Sequence, residues 1–279
     1  MRVRHRIAYN KESVSKDFIA FLLTNNARFD NTNSFIGVAY IFEKEEYLSQ
    51  LSLFYQKEKI TPIIDVVYTQ DEYDNTLWLS FRPKFRFEYP QPEDESKYKT
   101  MTYDGTKFCD NCGSGLVQKD SFRIAKSPKW GKRHFLMLNW IEDEIFINTI
   151  AKEFLVNNKI KGLDFLEVMN HKKNLPFEDI HQIYVKHKLN SGLINFEQSV
   201  KATKTCNLCG TIKYVYSGKG LTFKKEIFEG IDLDIFKTDE FFGAGHICAR
   251  IVIISQKLYQ LIKSSGMDKD IEFEPITLV

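Results

Sequence analysis

Cys109-Asp110-Asn111-Cys112-Gly113 and Cys206-Asn207-Leu208-Cys209-Gly210 are two copies of one motif, C-x-x-C-G, and the relation between them decides the architecture. In each copy two thiols lie close in sequence, followed by a glycine that can take the positive φ of a tight turn. The two pairs together supply the four sulfurs of a tetrahedral all-cysteine zinc site and use four of the five cysteines. A span of 93 residues (113–205) separates them, far more than in a compact zinc ribbon. If one ion is shared, the fold must bring two distant segments together. The rival, a thioredoxin-like redox pair, needs a single C-x-x-C at a strand–helix junction. Here glycine follows the second cysteine, and Leu116–Phe122 and Ile212–Tyr216 favour β structure. Four thiolates also close the shell, which argues against a catalytic metal. The expectation is one structural zinc bound by Cys109, Cys112, Cys206 and Cys209, with Cys248 apart in an apolar stretch.

Outward from the motifs, the two halves resemble each other. Glu144-Ile145-Phe146-Ile147-Asn148 precedes a helical run ending near Asn158, then Gly162 to Val168. Ile251-Val252-Ile253-Ile254-Ser255 precedes a helical run ending at Gly266, then Ile271 to Ile276. Asn148 and Ser255 hold equivalent N-cap positions. Ile150, Phe154 and Leu155 in one helix, and Leu258, Leu261 and Ile262 in the other, form apolar stripes. Gly266 suits a left-handed terminator, with Asn157 or Asn158 in that role for the first helix. Each half reads as knuckle, β segment, helix, β segment. The fold class expected is α+β, with two zinc-knuckle β-α-β halves made by internal duplication and preceded by an N-terminal α/β unit.

That first unit contains a strand at Phe35–Phe42, a helix at Glu43–Lys59, and strands at Pro62–Tyr68 and Thr76–Phe87 around a polar turn, Gln70–Asn75. Pro83 implies an edge or an interrupted strand. Tyr89–Ser96, proline-bearing and acidic, is the best linker. The boundaries expected are 1–95 for the N-terminal unit and 96–279 for the duplicated region, with halves at about 100–170 and 195–279. Asn170 to Tyr184 reads as the connector between halves.

Of 279 residues 43% are hydrophobic, enough for a real core, and only 7 are proline, so no long disordered linker is expected. The balance of 39 basic against 37 acidic residues gives no global field to hold a polyanion. The basic start Met1 to Arg6 runs into polar sequence, not an apolar segment, and no apolar run is long enough to span a bilayer. A cytoplasmic protein without membrane association is expected.

No P-loop, nucleophile elbow, dinucleotide fingerprint or deaminase signature is present, and adjacent carboxylates such as Glu142-Asp143-Glu144 read as a solvated face, so no enzyme is expected. His246-Ile247-Cys248 has no further ligand nearby and reads as ordinary packing. Lys129, Trp130, Lys132 and Arg133 form a basic-aromatic patch of the kind that holds single-stranded nucleic acid, against the simpler reading of a solvated turn. Asp232, Asp234, Phe236, Asp239 and Glu240 mix acid with aromatics, which on a surface would steer and grip a basic protein partner. The alternative is that the phenylalanines pack inside.

The paired C-x-x-C-G motifs about a hundred residues apart resemble the bacterial double-CXXCG motif family, and Ile253-Ile254-Ser255 … Gly266 … Phe273-Glu274-Pro275-Ile276 is similar to its C-terminal signature. The resemblance covers Tyr103 to the C-terminus. It implies an immunity protein that binds and neutralises a cognate toxin from a competing cell. The alternative function is a zinc-ribbon nucleic-acid-binding protein using the Trp130 patch.

Overall fold

The structure, a computed structural model, describes residues 1–30, 35–195 and 199–279. It is α+β, with both helices and strands in several sheets. It divides into Met1–Tyr73 with Ser217–Gly220, and Asp74–Tyr216 with Leu221–Val279. The boundary therefore falls at Tyr73/Asp74 and not at 95. Tyr89–Ser96 is no linker: Gln91 N donates to Arg123 O at 2.8 Å, and Asp94 caps the next helix by accepting from Lys97 N at 3.0 Å.

In the first unit, β1 (Arg2–Asn10), β2 (Arg28–Asp30), β3 (Ile36–Phe42) and β4 (Ile63–Val67) form an antiparallel sheet ordered β2-β3-β1-β4. The basic start of the chain is thus a strand, with Arg4 forked onto Asp65. Helices α1 (Lys16–Thr24) and α2 (Glu45–Glu58) set Phe18, Phe21, Leu22, Tyr47 and Leu51 against Ile7, Ala39 and Ile41. Burial of each large apolar side chain contributes about 1.5–3 kcal/mol. Buried His5 bridges Tyr55 OH and Glu43 Oε1, each at 2.7 Å, and Lys219 reaches the same Glu43 oxygen at 2.8 Å. The expected polar turn is a short helix, α3 (Gln70–Asn75).

The second unit begins with β5 (Trp78–Pro83), β6 (Arg86–Phe87) and α4 (Glu95–Thr102). In the first half, β7 (Tyr103–Asp104) and β8 (Val117–Gln118) flank the first knuckle. Then follow β9 (Arg123–Ile124), β10 (Phe135–Leu138), β11 (Ile145–Ile147), α5 (Thr149–Asn157) and β12 (Leu163–Asn170); β13 (Leu175–Val185) comes next, ahead of the second knuckle as β5 is ahead of the first. In the second half, β14 (Val200–Thr205) and β15 (Ile212–Tyr216) flank the other knuckle. They are followed by β16 (Leu221–Phe223), β17 (Ile235–Lys237), β18 (Phe241–Phe242), β19 (Val252–Ser255), α6 (Gln256–Ser264) and β20 (Ile271–Leu278).

The sheets of the two halves run β6-β10-β11-β13-β12-β9 and β17-β19-β5-β20-β16. Five strands of the first match the five of the second in order and direction. A hairpin-like antiparallel pair (β10 with β11, β17 with β19) leads through a capped helix to a strand parallel to its predecessor, with one antiparallel strand between them. A short strand, β9 or β16, adds in parallel at the far edge. Even the parallel pairing of β6 with β10 has a counterpart, a bridge from Lys188 to Lys237.

The inserted strand is exchanged. β5 precedes the first knuckle but lies in the second half's sheet, while β13 precedes the second knuckle but lies in the first half's sheet. The expected connector Asn170–Tyr184 is thus largely a central strand. Of the two alternatives for Pro83, the interruption holds and the edge does not: the interior strand β5 ends there opposite Ile271, and β6 begins at Arg86 in another sheet. Each half has its own core, Phe122, Leu136, Phe146 and Ile180 in one, and Phe223, Phe236, Ile253 and Ile276 in the other.

Both expected caps form. Asn148 accepts from Ala151 N at 2.9 Å and Ser255 from Leu258 N at 3.2 Å. Beyond the helices, Gly266 takes φ +74, while after α5 the left-handed residue is Lys159 and neither asparagine. Ile150, expected in the apolar stripe of α5, is exposed; Ala151 and Leu155 are the buried pair.

Candidate metal centre

In both knuckles the backbone folds the same way. Gly113 N donates to Cys109 O at 2.8 Å and Gly210 N to Cys206 O at 2.9 Å; Cys109 N donates to Ser114 O and Cys206 N to Thr211 O, both at 2.9 Å. Gly113 and Gly210 have φ +82 and +74, the left-handed turn that glycine adopts without strain.

These turns point four sulfurs at one another. The ligand atoms of Cys109, Cys112, Cys206 and Cys209 all lie within 4.8 Å, and they form the one such group of histidine, cysteine or acidic side chains among the described residues. Cys109 Sγ is 3.7 Å from Cys206 Sγ, and Cys112 Sγ is 3.5 Å from Cys209 Sγ. The segments separated by 93 residues in sequence do meet, and the cluster is compatible with a metal site. His246 and Cys248 stay out of it; burial pushes the Cys248 thiol up to about 12.

Polar side chains around the sulfurs were not anticipated from sequence. Ser114 Oγ lies 3.1 Å from Cys112 Sγ and 3.5 Å from Cys209 Sγ, and it hydrogen-bonds Thr211 Oγ1 at 3.0 Å. Thr211 Oγ1 is 3.2 Å from Cys209 Sγ. The two hydroxyl residues are equivalent, each second after the last cysteine of its knuckle, which was the available signal. Asn111 Nδ2 donates to Cys206 Sγ at 3.2 Å. Such donors orient ligands and tune their basicity. Hydrogen bonds from Thr211, then Ser114, hold the Cys209 thiol down at about 5, and those from Asn111 and backbone N–H groups hold Cys206 below its usual value. Burial pushes Cys109 up to about 11.

Behind the first knuckle the buried ammonium of Lys213 donates to Cys112 O at 2.9 Å, Ile247 O at 3.0 Å and Gly245 O. It ties the knuckle to the 245–247 loop. A second link between the halves is the buried pair Lys237–Glu144, 2.7 Å, with Gln182 donating to the other Glu144 oxygen. Burial alone would lower Lys237, but Glu144 and Asp143 outweigh it and keep the ammonium charged.

The acidic-aromatic stretch does not form the surface expected of it. Phe236 is 1% exposed and packs on Trp78 and Phe228. Asp234 is buried, accepting from Lys161 N, Ser255 Oγ and Lys257 Nζ, and Glu240 is buried, accepting from Gly192 N and Leu193 N. Asp239 is held by Ser191, Lys188 and Arg250. Of these residues only Asp232 stands well out in solvent, and it is paired with Lys161. The physical reason is that these acids satisfy backbone N–H groups and cations where strands β17 and β18 cross the core.

In the basic patch, Lys129 and Lys132 are exposed. Trp130 packs against the first half's core, and Arg133 lies over Phe85 and beside Asp270. No helix among the described residues is long and apolar enough to cross a membrane. No protein-family model matches the chain, and neither does any curated protein.

Proposed function

We propose that one zinc ion, held by Cys109, Cys112, Cys206 and Cys209, clasps the two halves of a non-enzymatic immunity protein that acts in the cytoplasm by binding and neutralising a cognate bacterial toxin. The observation that carries the metal reading is the sulfur spacing. A tetrahedral zinc site with Zn–S bonds of ~2.3 Å separates its sulfurs by ~3.8 Å, and the cross-knuckle distances are 3.5 and 3.7 Å. Four thiolates complete the shell, so the metal would supply folding energy and no open position for a substrate. The toxin reading is supported by the resemblance of the paired C-x-x-C-G motifs and C-terminal segment to the double-CXXCG family. The matched sheets, with β5 and β13 exchanged, support an internal duplication, which we propose as the origin of the two halves.

With Phe236 and Asp234 committed to the interior, we place the partner face around a cavity of about 720 Å³ beside the centre. Its rim gathers Val117, Trp140 and Ile247, each exposed, next to Tyr184 and Arg250. Large apolar side chains with tyrosine, tryptophan and arginine are the composition of binding hot spots. The test is co-expression with the toxin encoded beside this gene. Wild type should protect the cell, and Val117→Asp/Ile247→Asp should fold normally and protect at least tenfold less. Full protection by that variant removes this face, and failure of wild type to protect removes the immunity reading.

A further inference from the structure

We propose that Cys209 is the oxidant-sensitive thiolate of the centre, and that a two-electron oxidant such as hydrogen peroxide joins it to Cys112 in a disulfide crossing between the halves. The inference rests on the metal reading above and deepens it. Three of the four sulfurs belong to buried residues, whereas Cys209 is exposed. A peroxide therefore reaches Cys209 from solvent while Cys112 lies beneath it, 3.5 Å away. Ser114 Oγ touches both sulfurs, placing them on one side of the cluster. The Cys206 sulfur, by contrast, accepts from Asn111 at 3.2 Å and lies 3.7 Å from Cys109.

The chemistry balances in two steps. The Cys209 thiolate attacks one peroxide oxygen, the O–O bond breaks, and a sulfenic acid and hydroxide form. The Cys112 thiolate then attacks the Cys209 sulfur from below, the S–S bond forms, and a second hydroxide leaves on the solvent side. Two electrons pass from sulfur to peroxide oxygen, and two thiolates with one peroxide give one disulfide and two hydroxides. Attack opposite the outward leaving group is the in-line path that exchange at sulfur requires. A metal held by the four sulfurs would thereby lose Cys112 and Cys209 as ligands, while the new bond keeps the halves tied at the same place.

The experiment treats the full, metal-loaded chain with one to five equivalents of hydrogen peroxide. Free thiols are then alkylated and non-reduced peptides mapped by mass spectrometry, with released metal followed by a chromogenic chelator. The Cys112–Cys209 cross-linked peptide should exceed any Cys206–Cys209 product at least fivefold, with one metal released per cross-link and Cys248 still alkylatable. In Cys112→Ser, dimedone should trap Cys209 as a sulfenic acid. A first disulfide within one knuckle would overturn the proposal, as would thiols that survive while glutathione in the same tube is consumed. A reduced chain that takes up no zinc would overturn the metal reading separately, because the cross-link is scored by peptide mass alone.

Discussion

The two knuckles share a motif and a backbone turn but differ in what surrounds them. The first is sealed: Cys109 and Cys112 are 8% and 3% exposed, and a Cβ on Gly113 would lie 2.0 Å from the His246 carbonyl. Lys213 fastens it from behind. The second stands at the surface, with Leu208 74% exposed, Cys209 open and, among the described residues, nothing within 4 Å of a Cβ on Gly210. One local sequence thus makes an anchor in one half and a latch in the other. The difference comes from distant residues, chiefly Lys213 and the 245–247 loop.

The largest effect should come from the exchanged strands. A fragment of residues 96–279 lacks β5, the middle strand of the second half's sheet, and should not fold, whereas residues 74–279 should give a cooperative melt. Circular dichroism and proteolysis of both fragments would show it. A cooperative melt from 96–279 would mean that the second sheet closes without β5.

The anchor and latch separate most sharply at their glycines. Gly113→Ala meets a backbone carbonyl and should cost more than ~3 kcal/mol, while Gly210→Ala carries only the left-handed backbone penalty of ~1–2 kcal/mol. Urea melts of the zinc-loaded proteins measure both, and equal losses would erase the distinction. Lys213→Met keeps the length of the side chain but leaves the carbonyl of Cys112 without its donor. It should cost about 2 kcal/mol and raise hydrogen exchange in residues 109–115 above that in 206–211.

Smaller effects concern Asp234, which joins the halves through Lys161. Burial pushes its pKa up, but the Lys161 N–H, Lys257 and Ser255 outweigh it and hold the carboxyl below the usual range. Such a group adds stability above its unfolded pKa of roughly 4 and loses it as pH falls through the lower folded value. Asp234→Asn should therefore be about 1 kcal/mol less stable at pH 7, with the gap to wild type closing below about pH 4. A gap that stays constant to pH 2.5 would show that the charge is idle. Asn148→Ala and Ser255→Ala, one cap from each half, should each cost ~1 kcal/mol; a much larger loss for either would mean that the caps do not have equivalent roles.

What the sequence revealed was local. The four thiols, the caps at Asn148 and Ser255 and the strand–helix–strand order each depend on neighbours within a few residues. Long-range pairing was hidden. Nothing in Trp78–Pro83 says that it will sit between β19 and β20, and the hydrophilic look of Asn170–Tyr184 concealed a strand whose Ile180 and Gln182 are fully buried. Acids misled for a related reason. Asp234 and Glu240 look like surface residues until the backbone N–H groups they satisfy are known, and those come from positions 161, 192 and 193. Ser114 and Thr211 were legible as equivalent hydroxyls, but only once the motif is extended by one residue.

The central claim is that one metal ion is shared between the halves, and metal content per folded chain tests it most directly. Native mass spectrometry and elemental analysis of protein purified without added zinc should give one zinc per chain. Cys112→Ser and Cys209→Ser, one from each knuckle, should each lower that ratio toward zero. Two ions per wild-type chain, none at all, or a full ion retained by either variant would contradict it.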